Sequence, residues 1–150
     1  MRIKVRKVKK KDIEFLFELR NQPSTFQYSK NARPVGQQEH IDWITPILKG
    51  KTNKNLFVIE ADRKRAGQVR LDIDEEKAMV NISLMPEFQG KGIGSIALQM
   101  AINKIARKKK VKSFLAEVHQ ENIASQKLFE KLGFVFQNQE GIWKTYVKRI

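Results

Sequence analysis

Apolar and polar positions alternate over Gly67–Ile73, where Val69, Leu71 and Ile73 interleave with Gln68, Arg70 and Asp72. A period of two is that of a half-buried strand. Met79–Met85 follows the charged turn Asp74-Glu75-Glu76, so the two segments predict a hairpin. Ile3–Val5, Leu56–Ile59, Val111–Val118, Phe134–Phe136 and Ile142–Val147 predict further strands, with turns at Asp62–Arg65 and Asn138–Gly141. Elsewhere the spacing becomes helical. Ile13, Leu16 and Leu19, flanked by Phe15 and Phe17, follow Asp12 as a cap and stop before Pro23. Ile41, Ile44 and Leu48 mark a second helix, which Pro46 should kink or split. A third runs from the glycine-rich Gln89–Gly94 to about Lys108, with Ile96, Met100 and Ile105 on its buried face. The fourth runs from Ile123 to about Leu132, between Asn122 as cap and Gly133 as stop. Ser24–Pro34 reads as polar and irregular.

The order is β-α-α-β-β-β-α-β-α-β-β. Short turns between neighbouring strands predict an α/β (α+β) chain with a mixed, largely antiparallel sheet, not a doubly wound parallel one. No repeat or Pro/Gly/Ser-rich linker interrupts the chain, so residues 1–150 read as one domain. At this length about 68–70% of the unfolded surface is buried on folding, enough for an independent core. No apolar run approaches the roughly 20 residues that cross a bilayer. The basic start, Met1–Lys10, lacks the apolar stretch of a secretory signal, which makes the cytoplasm the expected location.

Composition narrows the chemistry. There is no cysteine, which excludes disulfides, thiolate metal sites and a cysteine nucleophile. His40 and His119 stand far apart, and neither has the spacing of a metal ligand, so no metal is expected. Thirty Lys and Arg against sixteen Asp and Glu give a net charge of +14, with clusters at Arg2–Lys11 and Arg107–Lys112. Such a field attracts anions, nucleotides and phosphorylated cofactors among them, although a solvated lysine-rich surface would look the same. An RNA-binding protein would use these clusters too. The aromatic platform such proteins interleave with their basic residues is missing, so nucleic acid is not the expected partner.

Gln89-Gly90-Lys91-Gly92-Ile93-Gly94 is the most informative segment. Its glycines leave the backbone open at a strand-to-helix junction. The first N–H groups of that helix have no partner within it, and the helix dipole adds positive potential there. This geometry suits a pyrophosphate. A phosphate loop of nucleotide hydrolases would need Gly-Lys-Ser/Thr after a longer spacing, and a dinucleotide fingerprint would place the third glycine one position later, where Ser95 stands.

Together with Leu84-Met85-Pro86 before it and Glu121-Asn-Ile-Ala-Ser-Gln-Lys-Leu-Phe-Glu-Lys-Leu-Gly-Phe134 after it, this segment resembles the GNAT superfamily of acyl-CoA-dependent N-acyltransferases. Gln89, Gly92 and Gly94 match the family's Gln/Arg-x-x-Gly-x-Gly/Ala signature. Asn122, Ser125, Leu132, Gly133 and Phe134 match its second block. The resemblance implies a six- to seven-stranded sheet, splayed between strands four and five, with about four helices. It also implies acetyl-CoA as co-substrate. The backbone of Leu84 and Met85 would pair with the pantetheine arm, and the amides of Gln89, Gly90, Lys91, Gly92, Ile93, Gly94 and Ser95 would surround the pyrophosphate. Asn122 would contact the cofactor arm, and Phe129 would pack against the pantetheine.

With no cysteine, direct attack of an amine on the thioester in a ternary complex is the natural course. The resemblance implies Glu117 as general base, against a role in fixing the sheet edge, and the N–H of Met85 or its neighbour as carbonyl polariser. His119 is an alternative proton relay or a surface loop residue. Phe129 stands where many relatives carry a tyrosine that protonates the leaving thiolate. Around Phe17–Asn21, Glu39–Trp43 and Gly67–Ile73 the chain looks similar to family members that acetylate nucleotide-linked amino-sugars. That reading places Arg20, His40 and Trp43 near an anionic small-molecule acceptor, with Arg70 available for phosphate. Trp43 would stack on a base or serve as a core residue. Acetylation of protein N-termini or ribosomal proteins is the alternative, and a second copy of the chain is left open as a partner.

Overall fold

The computed structural model describes residues 1–150 throughout. Its strands are β1 (Ile3–Lys7), β2 (Lys54–Ala61), β3 (Lys64–Asp74), β4 (Lys77–Leu84), β5 (Ser113–His119), β6 (Val135–Glu140) and β7 (Trp143–Arg149). The helices are α1 (Ile13–Arg20), α2 (Pro23–Phe26), α3 (Gln37–Leu48), α4 (Ile93–Lys108) and α5 (Ile123–Lys131). One sheet has the order β1-β2-β3-β4-β5-β7-β6. Every neighbouring pair is antiparallel except β4 with β5, which run parallel.

The alternation read from the sequence sorts side chains onto two faces. Leu56 and Val58 point to one side and pack with Leu16 and Leu19 of α1 and Ile44 and Ile47 of α3. Ile59 and Ala61, with Val69 and Leu71 of β3, join the larger core under α4 and α5. The buried stripe of α4 is Ile93, Ala97, Leu98, Ala101, Ile102 and Ile105. Ile96 lies outside that stripe and is half-exposed, contrary to the helical reading, and Met100 is only partly buried.

Three other expectations change. Pro46 sits inside α3 without splitting it, because it falls in the last turn and forfeits only a bond to the exposed Asp42. The polar stretch after Arg20 contains one helical turn, α2, with Pro23 at its first position. Asp12 does not cap α1 with its side chain. Its fully buried carboxylate instead accepts from both terminal nitrogens of Arg6 at 2.8 Å, from Arg65 Nε at 3.0 Å and from the Lys9 amide at 2.8 Å. Burial alone would raise this carboxyl's pKa, but the Arg6, Lys9 and Arg65 bonds outweigh it and hold it at about 2. The cluster ties β1 and β3 to the start of α1.

The feature that positions the site is the parting of β4 from β5. They pair only where Lys77–Met79 meets Ser113–Leu115. Beyond those rungs β4 continues against β3 alone, with Gly67 opposite Leu84. A Cβ on Gly67 would lie 2.2 Å from the Ser83 carbonyl oxygen, so only glycine fits there.

Candidate active site

The parting exposes main chain. The Met85 N–H donates to the Ala66 carbonyl at 2.8 Å, which makes Ala66 and Met85 a hydrogen-bonded pair. Such pairs alternate along an antiparallel ladder. The N–H groups of Ile82 and Leu84 therefore turn away from β3 and toward the gap before β5. The expectation for Met85 is corrected: its amide is consumed within the sheet, and its neighbour Leu84 presents the free donor. The Leu84 carbonyl accepts from Gln89 Nε2 at 3.1 Å, so Gln89 braces the strand end with its side chain.

Past Leu84 the chain turns through Pro86–Phe88 and enters α4. Gly90 and Gly92 have φ of 73° and 79°, left-handed values that glycine takes without penalty. The N–H groups of Gly92, Ile93, Gly94 and Ser95 donate to no acceptor in the chain; the first helical bond here is Ile96 N–H to the Gly92 carbonyl. These converging donors at the start of a 16-residue helix fit a pyrophosphate. Lys91 is exposed beside them. Gly94 serves differently from the expectation of open backbone. The space its Cβ would take is bounded by methyl groups of Leu128 and Leu84 at 3.7 Å, so it seats α4 against α5. Asn122 caps α5, its Oδ1 accepting from the Ser125 amide at 3.2 Å, which leaves Nδ2 unbonded. Phe129 is buried in the large core with its ring edge-on to Phe134.

On the other side of the parting lies a cleft of about 600 Å³ between β3, β4, β5 and the α1–α3 segment. Arg20, His40, Trp43, Arg70 and Glu117 all line it, so the structure brings the expected acceptor residues and the expected base together. Their states differ from expectation. Arg20 donates to the carbonyls of Asn31 at 3.0 Å and Arg33 at 3.1 Å, bracing the loop after α2. Arg70 is paired through Nε with Asp72 at 2.9 Å and lies over the Trp43 ring. Trp43 is not core; it is about a third exposed. His40 is buried, within 2.9 Å of the Ile13 carbonyl, and burial lowers its pKa while that carbonyl raises it. His119 accepts the Glu121 amide on Nδ1 at 3.0 Å and packs between Tyr28 and Trp143, which ties up the ring nitrogen a relay would need. The cations Arg20, Lys30 and Arg70 are matched by Glu39, Asp72 and Glu117, so the chain's excess positive charge does not extend into the cleft.

Sequence reasoning missed three residues here. Lys30 pairs with Glu117 at 2.8 Å, and its ammonium lies 5.5 Å from the centre of the Trp143 ring. Gln68 is buried, its Nε2 donating to Asn81 Oδ1 at 2.8 Å and Ser83 Oγ at 3.0 Å. Its Oε1 is left with no donor. Tyr28 completes the wall. The polar residues of β3, alternating with its apolar ones, were the available signal for Gln68.

Comparison with known proteins agrees with this geometry. The model of the acetyltransferase (GNAT) domain family matches residues 2–135, and the chain belongs to that family. It is an acetyl-CoA-dependent N-acetyltransferase. It is similar to spermidine N(1)-acetyltransferase of Escherichia coli, 25% identical over 91% of this chain and 75% of that one. It is also similar to the [ribosomal protein bS18]-alanine N-acetyltransferase of Haemophilus influenzae, 31% identical over 75% of this chain and 76% of the relative. Among solved structures, spermidine N-acetyltransferase from Vibrio cholerae in complex with CoA and spermine superposes with a TM-score of 0.87, at 21% identity over 98% and 95% of the two chains. A domain from Methanocaldococcus jannaschii gives the same TM-score and identity over 99% of both. These relatives do not support the expected nucleotide-linked amino-sugar.

Proposed function

We propose that this cleft accepts a cationic primary amine rich in N–H donors, and that Glu117 takes its proton as the nitrogen attacks acetyl-CoA. The observation that carries this reading is the three carboxylates of the cleft, Glu39, Asp72 and Glu117, with Glu117 already engaging the ammonium of Lys30 at 2.8 Å. A cationic amine brings N–H donors for the same charge-assisted bonds. Spermidine and a protein's amino-terminal alanine, which the relatives' names carry, both present such groups. An anionic sugar nucleotide would meet arginines already bound to carbonyls or carboxylates.

In this reading the amides at the start of α4 hold the pyrophosphate, and the β4 edge guides the pantetheine arm into the parting. The Leu84 N–H donates to the thioester carbonyl oxygen. The Glu117 carboxylate removes a proton from the ammonium. The nitrogen then bonds to the carbonyl carbon, the C–S bond breaks, the nitrogen sheds its second proton to solvent, and the coenzyme departs as thiolate. Phe129 has no proton to give, and the Tyr146 phenol is buried against Glu130, with burial and that carboxylate both raising its pKa. The thiolate therefore leaves unaided or takes its proton from water.

A panel of spermidine, an alanine-initiated peptide, an aminoglycoside and a UDP-linked amino-sugar, read by release of free CoA, tests the acceptor. Spermidine or the peptide should be preferred. A preference for the UDP-linked sugar would overturn the acceptor class while leaving the coenzyme end standing.

A further inference from the structure

We propose that Lys30 is itself an acetylation site, modified in cis by the same active site. This rests on the reading of Glu117 as the base. If Glu117 takes the proton, the nitrogen that reacts is the one hydrogen-bonded to its carboxylate. In this chain that nitrogen is Lys30 Nζ, 2.8 Å from Glu117 Oε2 and facing the Trp143 ring at 5.5 Å. Lys30 and Glu117 both line the cleft that opens on the β4–β5 parting.

The contact is poorly explained as a structural brace. The Lys30 side chain is 60% exposed, and a pair this open contributes little to stability. The backbone around it, however, is fixed. Arg20 grips the carbonyls of Asn31 and Arg33, the Asn21 side chain bonds both the N–H and the carbonyl of Val35, and the Ser29 hydroxyl lies within hydrogen-bond distance of the Phe26 carbonyl. An amine held this way reacts intramolecularly, without the entropy cost of bringing two molecules together.

The step is balanced by groups already present. Glu117 takes one proton from the Lys30 ammonium and passes it to solvent. Nζ then bonds to the acetyl carbon, the C–S bond breaks, and the second proton leaves the nitrogen for the departing thiolate, directly or through water. The product is a neutral amide, so the cleft loses one positive charge and Glu117 loses its ion pair. Both changes make room for a cationic acceptor.

The intact protein should be incubated with acetyl-CoA at several protein concentrations and its lysines mapped by peptide mass spectrometry. Lys30 should acquire an acetyl group at least tenfold ahead of the surface residue Lys108, with a rate constant independent of protein concentration. Glu117→Gln, and separately Gly92→Asp at the coenzyme end, should slow Lys30 to the pace of Lys108. Once acetylated, the protein should show a lower KM for spermidine. Lys30 modified no faster than Lys108, in a sample that binds acetyl-CoA by calorimetry and acetylates spermidine, would overturn this proposal and leave the functional reading intact. A rate constant that rises with protein concentration would overturn transfer in cis. A sample that fails to bind acetyl-CoA would overturn both.

Discussion

The two ends of the site are built from different material. The end we assign to the coenzyme is main chain: the amides of Gly92–Ser95 and the free N–H of Leu84. The acceptor end is side chain: Glu117 with Lys30, Arg70 with Asp72 and Trp43, and Gln68 with Asn81 and Ser83. Main-chain donors cannot be exchanged by substitution, so one end can stay constant while the other varies in what it recognises. The relatives' names fit that division, since this chain is similar both to a spermidine and to a ribosomal-protein acetyltransferase.

The largest effect expected at the acceptor end comes from Glu117→Gln. It should lower kcat by roughly 10²–10⁴-fold while the affinity for acetyl-CoA stays as it was. Full turnover in the variant would remove Glu117 from the chemistry. Gly92→Asp should do the reverse. Acetyl-CoA at about 100 times its Kd adds about 2.7 kcal/mol to stability, read as a rise in Tm, and the variant should lose that rise. A carboxylate would stand among the donors, on a residue at φ 79°. Gly94→Ala meets only ordinary contacts at 3.7 Å and should keep the rise.

Acid reaches the acceptor end through Asp12. Its carboxyl titrates near 2 in the fold against an ordinary 3.8. A depressed carboxylate contributes its full stability above the unfolded value and loses it as pH falls through the folded one. About 2 kcal/mol should therefore vanish between roughly pH 4 and pH 2, seen as a falling Tm. The start of α1, and with it the Arg20 wall, should loosen before the α4 end does, by amide exchange. The smallest effect belongs to Trp43→Ala. Losing the stack with Arg70 should raise the acceptor KM by a few-fold, in line with about 0.5–1 kcal/mol for a cation–π contact. The coenzyme Kd should not move.

The same division decided what the sequence revealed. Gly92 and its neighbours betray a special backbone by residue type, so the coenzyme end was legible, as was the β3–β4 hairpin from its period of two. The expectation of Met85 or its neighbour was left undecided because the parity of a ladder depends on where it closes, and Ala66 is not visible as the partner of Met85 in one dimension. Arg20, Arg70 and Glu117 do fall in one cleft, but their partners Asn31, Asp72 and Lys30 were not foreseen. The Lys30–Glu117 pair spans 87 positions in the chain, and no local rule links residues so far apart. Phe129 was read against the pantetheine because the family resemblance fixed its position, while burial depends on the whole core.

Sheets ordinarily keep their unpaired edges at the two outer margins, where another protein can dock and aggregation begins. By parting after three rungs, this one opens a margin in its own middle, along Ile82 and Leu84. Strands of the same molecule stand on both sides of that inner margin. It is thus denied to a foreign sheet and left to a single slender thread, so the opening that admits the substrate arm also screens out the misassembly an exposed edge invites.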